Sequence, residues 1–259
     1  MWVLASDIDN TLTGDAEALR RLSQRLQEMR GTGDLFLILS TGRRLPDILK
    51  GFDGEGLPEP DAIIAQIGTE IYLPPFATEM APLRSWDERL LRDFSREEAL
   101  GFLQGLDGVD MQDPVFNTPL KVSVHLDRAP EPGAVVEEVQ RRIEREGVED
   151  RFQVVWSSMR DLDIIPEKAG KGNAIHYLLE EMNLDAERLV VAGDSGNDLS
   201  MFEASPAGIV VANAQPELAQ LREGGRDDVY FARAERAAGV MEGLMHYGVL
   251  DQRNNDVVV

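Results

Sequence analysis

The chain has 259 residues, no cysteine, and a formal charge of −21 from 26 basic and 47 acidic side chains. Disulfides, thiolate nucleophiles and Cys-held zinc are therefore excluded, and so acidic a surface repels nucleic acid and anionic membranes. Hydrophobic residues make up 43% of the chain, enough for one large core or two smaller ones.

No apolar run approaches the roughly 18 residues needed to span a bilayer. The amino terminus shows no basic region before its short apolar run. A soluble cytoplasmic protein is expected. The same acidity would repel a phosphate ester, so an anionic substrate would need a local positive site.

Trp2 to Ser6 reads as a buried strand that stops at Asp7-Ile8-Asp9-Asn10-Thr11. At the carboxyl ends of strands in an open parallel sheet, side chains line the ligand crevice. Two carboxylates placed there need a positive partner, and Asp-x-Asp-x-Thr suits a divalent cation with one carboxylate free to attack. Asp15 to Arg30 is an amphipathic helix with Leu19, Leu22, Leu26 and Met29 on one face. Asp34 to Leu39 is a second buried strand, ending in Ser40-Thr41-Gly42-Arg43. A hydroxyl and an exposed glycine N–H at a strand end can donate to a phosphate oxygen. Pro46 opens the next helix. Ala62 to Ala65 is a third strand, and Ile67 to Tyr72 a turn with an edge strand that Pro74 and Pro75 close.

From Arg84 the pattern changes. Glu88 to Phe94 is helical, and Ser95 with Glu98 forms a capping box for a helix reaching about Leu106. In Leu120 to Leu126 the residues Leu120, Val122, Val124 and Leu126 share one face and Lys121, Ser123 and His125 the other. One face should pack on helices; the other is expected to be open, with a basic, hydroxyl-bearing character suited to a sugar or a phosphate. Pro132 to Arg145 is a helix with Val135, Val136, Val139 and Ile143 inward, and strands follow at Phe152–Trp156 and Leu162–Ile165. These elements read as a small α+β module inserted at residues 84–164. Lys171-Gly172-Asn173 then opens a helix; a lysine there opposes the dipole, which an anion in the crevice would explain. The strand Leu189–Ala192 runs into Gly193-Asp194-Ser195-Gly196-Asn197-Asp198, where two glycines are expected to let the chain bend tightly. Short strands at Ala207–Val211 and Val229–Ala232, helices at Pro216–Leu221 and Ala237–Tyr247, and a patternless, disordered tail from Asn254 complete the reading.

Asp7 with Asp9, Thr41 with Gly42, Lys171, and Asp194 with Asp198 come in an order and spacing that resembles the haloacid dehalogenase-like phosphohydrolases over the whole chain. Within that superfamily, Leu120 to Asp127, Trp156-Ser157-Ser158 with Asp161-Leu162-Asp163, Lys171 to Ala174, the Gly193–Asp198 loop and Asn213 to Leu218 resemble the sucrose-phosphate phosphatase family. The resemblance implies a doubly wound, Rossmann-like α/β core of residues 1–83 and 165–259, with an inserted α+β cap at 84–164 that sets specificity. It also implies Mg²⁺-dependent hydrolysis of sucrose 6-phosphate through an aspartyl-phosphate.

On that footing Asp7 is the nucleophile and Asp9 the acid, then base. Thr41, Gly42 and Lys171 hold the transferring oxygens. Mg²⁺ lies against Asp7, the Asp9 carbonyl and Asp194, with Ser195, Asn197 and Asp198 orienting that shell. Arg43, Gln66, Glu70, Asn117, Lys121, Ser123, His125, Asp163 and Asn173 are expected to meet the substrate. A monomer is expected, with transient association to a sucrose-phosphate synthase and no nucleic-acid or membrane partner. The alternatives are a phosphatase for mannosylfructose phosphate or for a glucosyl- or mannosyl-3-phosphoglycerate, and a non-catalytic regulator that binds sugar phosphate.

Overall fold

In the computed structural model, which describes residues 1–223 and 225–251, seven strands form one sheet and four form another. The expected disordered tail from Asn254 lies outside the described residues. The large sheet comprises β1 (Trp2–Ser6), β2 (Leu35–Ser40), β3 (Ala62–Ala65), β4 (Glu70–Tyr72), β9 (Leu189–Gly193), β10 (Gly208–Val210) and β11 (Val229–Phe231). Its spatial order is β11-β10-β9-β1-β2-β3-β4, parallel throughout except for β4, which pairs antiparallel with β3. The chain winds outward from β1 in both directions. The crevice at the carboxyl ends of β1 and β9 is therefore the topological switch point, where such sheets bind ligands.

Helices cover both faces. On one side lie α1 (Ala16–Thr32), α2 (Leu45–Gly54) and α9 (Arg236–His246), whose Leu19, Leu22, Leu26, Ile48, Val240 and Leu244 share a cluster with Leu4, Leu37 and Ile63. On the other lie α6 (Lys171–Glu181) and α7 (Leu199–Glu203), which seat Ile175, Leu178, Met201 and Phe202 against Ala5, Ile38 and Val191. Both faces are buried, so the strands read as continuous apolar runs. Asp15 caps α1 by accepting from the N–H groups of Glu17 and Ala18. Beyond β10, α8 spans Ala219–Glu223 after a single turn of 3-10 helix at Pro216–Leu218.

The smaller sheet has the order β5 (Asp110–Met111), β6 (Val122–His125), β8 (Asp161–Pro166), β7 (Phe152–Ser157), all antiparallel. Val122, Val124, Leu162 and Ile164 pack beneath α4 (Arg96–Gly101) and α5 (Pro132–Glu146), through Ala99, Val136, Val139 and Ile143. Val135 is only partly buried on this cluster.

Three expected elements differ in extent. The helix expected from Glu88 is α3 (Arg84–Leu90), four residues earlier, because Trp86 and Leu90, one turn apart, seat on the core cluster beside Tyr177. The Ser95 cap is present, but α4 stops at Gly101 and Gly105 turns at φ +72°; Phe102 and Leu103 stay buried without helix. The strand expected over 120–126 is regular only from Val122 to His125. β5 and the turn Pro114–Phe116 carry no periodicity to announce them. α3 packs on the core cluster and β8 runs on to Pro166. Among the described residues, no helix is long and apolar enough to cross a membrane.

Candidate active site

The centre is built where β1, β9 and α6 converge. Asp7 follows β1 directly and its N–H donates to the Ala192 carbonyl at 2.9 Å, which locks the first acidic turn to the neighbouring strand. Lys171, the first residue of α6, is 0% exposed. Its Nζ donates to Asp7 Oδ1 at 2.7 Å and to Asp198 Oδ1 at 2.6 Å. The lysine's unfavourable place at a helix start is thus explained by two carboxylates rather than by solvent. Burial alone would lower its pKa, but Asp198 and Asp7 together outweigh that and hold the ammonium above its usual range.

Both oxygens of Asp198 are engaged. Its Oδ1 takes Lys171, and its Oδ2 accepts from the N–H of Asp194 at 2.9 Å and of Ser195 at 3.0 Å. It braces the loop and aims the lysine. Ser195 closes a reciprocal capping box with Asp198. The two loop glycines act differently from the expected tight bend, since neither takes a positive φ. They permit close approach: a Cβ on Gly193 would lie 2.6 Å from the Asp198 carboxylate, and one on Gly196 would lie 2.3 Å from the Trp156 carbonyl.

Carboxylate oxygens of Asp7, Asp194 and Asp198 lie within 4.8 Å of one another, all buried. Burial, with Asp198 and Asp9 adding and Lys171 opposing, pushes Asp7 up to about 7. Asp194 is pushed up to about 8 by burial, then by Asp7 and Asp198, although Thr11 donates to it at 3.2 Å. Three buried carboxylates against one lysine leave a surplus of negative charge that a hard divalent cation would neutralise, and the free oxygens of Asp7 and Asp194 are the ligands such a cation prefers.

Thr41 is fully buried after β2, with its N–H donating to Ile64 O at 2.9 Å and its hydroxyl accepting from the Arg43 N–H at 3.1 Å. Asp9 is the exposed member, 54% open. The Arg43 guanidinium grips both of its oxygens at 2.7–3.1 Å, and Glu55 holds the same guanidinium at 2.6 and 2.9 Å.

Above this centre lies a cleft of about 360 Å³ between the two sheets, lined by Asp9, Gly42 and Arg43 from the core and by Lys121, His125 and Asp163 from the cap. On the face expected to be open, Lys121 is 2% exposed and Ser123 fully buried, because Phe116 and Asp163 of the cap itself lie against them. Ser123 donates to Asp163, whose pKa burial raises against the pull of Lys121. Lys121 Nζ stands 3.6 Å from Asp163 Oδ1 and 6.0 Å from the Phe116 ring centre. It makes no hydrogen bond among the described residues and is part of the cleft lining. His125 pairs with Asp161 through Nδ1 at 2.6 Å.

Three expected residues are spent elsewhere, and a fourth, Gln66, only through its amide N–H, its Oε1 being buried with no partner among the described residues. Asn117 uses its whole amide on backbone, accepting from Ser123 N at 2.9 Å and donating to Gln112 O at 3.1 Å and to Ser123 O at 3.2 Å. Asn173 is exposed and holds the Glu167 and Ala169 carbonyls at 3.2 and 2.9 Å, at the turn before α6. Glu70 accepts from the Tyr72 hydroxyl at 2.7 Å. Gln66 is buried at φ +51° and donates to Val115 O at 3.4 Å, from core to cap.

Residues to which the sequence reading gave no site role line the cleft too: Gln112, Phe116 and Arg160, with Ser157 and Asp161, which entered it only within the family resemblance. Asp161 could have been found, since period two places it on the face of Asp163 and across from His125. Arg160 had no such signal. It lies just outside the strand and forks onto Asp161 at 2.9 Å.

Residues 1–248 match the family model described as sucrose-6F-phosphate phosphohydrolase. The chain belongs to this family. It is 32% identical over 250 residues to the mannosylfructose-phosphate phosphatase of Agrobacterium fabrum, covering 95% of this chain and 97% of that one. It is 30% identical over 260 residues to sucrose-phosphatase 1 of Nicotiana tabacum, covering 95% of this chain; it spans 59% of the tobacco protein's length. Among solved structures, the sucrose-phosphatase of Synechocystis sp. PCC6803 in complex with sucrose and phosphate superposes with a TM-score of 0.88 at 32% identity, over 95% of this chain and 98% of that one. A haloacid dehalogenase-like hydrolase of Bacillus subtilis shares the fold, with a TM-score of 0.66 at 19% identity over 96% and 92% of the two chains. The chain is thus a haloacid dehalogenase-like α/β protein of a phosphatase family.

Proposed function

We propose that the protein hydrolyses sucrose 6-phosphate to sucrose and phosphate, with Mg²⁺, and that residues 84–164 act as the cap that selects the sugar. The observation that carries this reading is the stacking of two sites. A buried Asp7–Lys171–Asp198 group at the switch point lies beside a cleft whose polar lining comes from the core loops and from the cap.

Asp7 Oδ attacks phosphorus and forms an aspartyl-phosphate, while the P–O bond to the sugar breaks. Asp9 delivers a proton to the departing sugar oxygen and takes one from the water that later attacks the acyl phosphate. Lys171, Thr41 and the Gly42 N–H hold the phosphoryl oxygens as charge builds. Lys171 already sits 2.7 Å from Asp7, so that little reorganisation is needed. Asp7, the Asp9 carbonyl and Asp194 would hold Mg²⁺, which would supply charge neutralisation for the approach of carboxylate to phosphate. Arg43 holds Asp9 until substrate arrives, and Lys121, with the Asp163 and His125 groups, meets the sugar hydroxyls. Asn117 and Ser123 stiffen this face instead of touching substrate.

A second reading, mannosylfructose phosphate, is favoured by the full-length match to the Agrobacterium fabrum enzyme. A phosphoglycerate substrate would need a cation for its carboxylate; of the two cap cations in the cleft lining, Arg160 is committed to Asp161 and Lys121 stands 3.6 Å from Asp163. A non-catalytic regulator is disfavoured because Asp7, Asp9, Lys171 and Asp194 are all in place. The proposal carries with it a monomer, a cytoplasmic setting and transient pairing with a sucrose-phosphate synthase. Phosphate release from a panel of glycosyl phosphates decides the substrate. Sucrose 6-phosphate is expected to give the highest kcat/KM; a higher value for mannosylfructose phosphate selects the second reading, and no release from any member overturns both.

A further inference from the structure

A second cavity, of about 600 Å³, lies on the other side of Ile67 and Asn197 from the catalytic cleft; these two residues line both. Its walls come from the cap strand β7 and helix α5 on one side and from α7 and the segment around Pro216 on the other. Four buried polar atoms among its lining residues have no hydrogen-bond partner among the described residues: Gln153 Oε1, Trp156 Nε1, Asn197 Oδ1 and Glu217 Oε2. Leaving such groups unpaired is costly, and four gathered at one cavity are unusual in a folded chain. Neither the phosphoryl chemistry nor the sugar cleft uses Gln153, Trp156 or Glu217.

We propose that this cavity is a second binding site, for a neutral polyhydroxylated molecule of hexose to disaccharide size, and that its occupant slows turnover. The volume falls in the range of small-molecule sites. The unpaired set is three acceptors and one N–H donor. Hydroxyl groups both donate and accept, so a polyol can serve all four. An ammonium ligand offers nothing to the indole N–H. An anion would meet Glu203 and Glu217, and the one lysine in the lining, Lys171, belongs to the phosphoryl site. The indole of Trp156 adds the apolar ring face that sugars stack on.

The kinetic consequence follows from the walls. Gly196 meets the Trp156 carbonyl closely, and the Met159 N–H donates to Glu217 Oε1 at 3.0 Å, so β7 and the core already touch here. An occupant adds hydrogen bonds across the same seam and opposes the cap opening that releases product. It should lower kcat without raising KM.

The direct test follows the Trp156 indole N–H resonance of the full chain, identified by its loss in Trp156→Phe, as sucrose or glucose is added. A saturable shift is expected, retained in Lys121→Ala, whose change lies in the catalytic cleft. The midpoint should rise about fivefold or more in Gln153→Leu, and likewise in Glu217→Ala should the first variant fold poorly. Hydrolysis of p-nitrophenyl phosphate should show kcat falling with added sugar, and Gln153→Leu should blunt that fall while keeping wild-type kcat in its absence. An unmoved indole overturns the proposal. So does a shift driven by spermidine or inorganic phosphate in place of sugar, a shift lost in Lys121→Ala, or inhibition seen only as a raised KM. The kinetic arm rests on the phosphatase reading; failure of that reading appears as absent hydrolysis and leaves the resonance test standing.

Discussion

Two lysine–aspartate groups are buried in this protein, and they are finished to different degrees. In the core, Lys171 is fixed by two carboxylates at 2.7 and 2.6 Å, and Asp198 is itself fixed by two backbone N–H groups. In the cap, Lys121 stands 3.6 Å from Asp163 and makes no hydrogen bond among the described residues, while Asp163 is held by Ser123. The first group is preorganised around a point where charge develops, which is what lowers a barrier. The second has unspent hydrogen-bonding capacity, which is what recognises a ligand. Chemistry is therefore expected to reside in the core group and selectivity in the cap group.

The largest effect should come from removing the nucleophile. Asp7→Asn keeps shape but not charge, and should lower kcat on any phosphate ester by on the order of 10⁴-fold or more. Single-turnover phosphate release checks this, and activity near wild type would shift covalent catalysis away from the core group. Asp9→Asn should follow, at about 10²-fold on sucrose 6-phosphate, the scale of lost general acid–base catalysis. A loss much smaller than that would mean another group protonates the leaving oxygen.

Lys121→Ala separates the two groups. It should cost about 10- to 100-fold in kcat/KM on the sugar phosphate, from about 1–3 kcal/mol of lost hydrogen bonding. On p-nitrophenyl phosphate, which has no sugar to hold, it should change little. Equal losses on both substrates would merge the cap lysine with the phosphate site.

The smallest effect is thermodynamic. Asp7 and Asp194 are pushed up to about 7 and about 8, above the usual carboxylate range. A carboxylate raised on folding contributes stability that is complete below its unfolded pKa, near 4, and is lost as pH climbs through the folded value. Without metal, the chain should lose stability between about pH 4 and pH 8 on this account. Mg²⁺ replaces the protons, so its gain in Tm should grow across that window. Thermal melts with Mg²⁺ and with chelator at about pH 5.5 and pH 8 measure it; an equal gain at both would detach the cation from these two carboxylates.

Much of this organisation was legible from residue order alone. β1, β2, β3 and β9 are apolar runs with abrupt polar ends, and a strand buried on both faces can hardly be written otherwise. Their ends hold Asp7, Thr41 and Asp194, so the core group was visible in one dimension. Period two separated Val122 and Val124 from Lys121, Ser123 and His125, because side chains on a strand must alternate. Sequence alone thus determined which residues share a strand end or a face.

What it left undetermined is what stands opposite each face. The polar side of β6 was expected to be open and suited to a sugar or a phosphate, and only the tertiary structure shows which core residues, Asp9, Gly42 and Arg43, share a cleft with it. Asn117 looked like a ligand, yet its amide is spent on β6 because the turn Pro114–Phe116, which has no periodic signature, folds back on that strand. Asn173 and Glu70 are drawn off in the same way by nearby partners, one by the turn before α6 and the other by Tyr72. Amide and carboxylate groups take the first partner the fold brings within about 3 Å. That choice depends on contacts between residues far apart in the chain, and only the tertiary structure makes it.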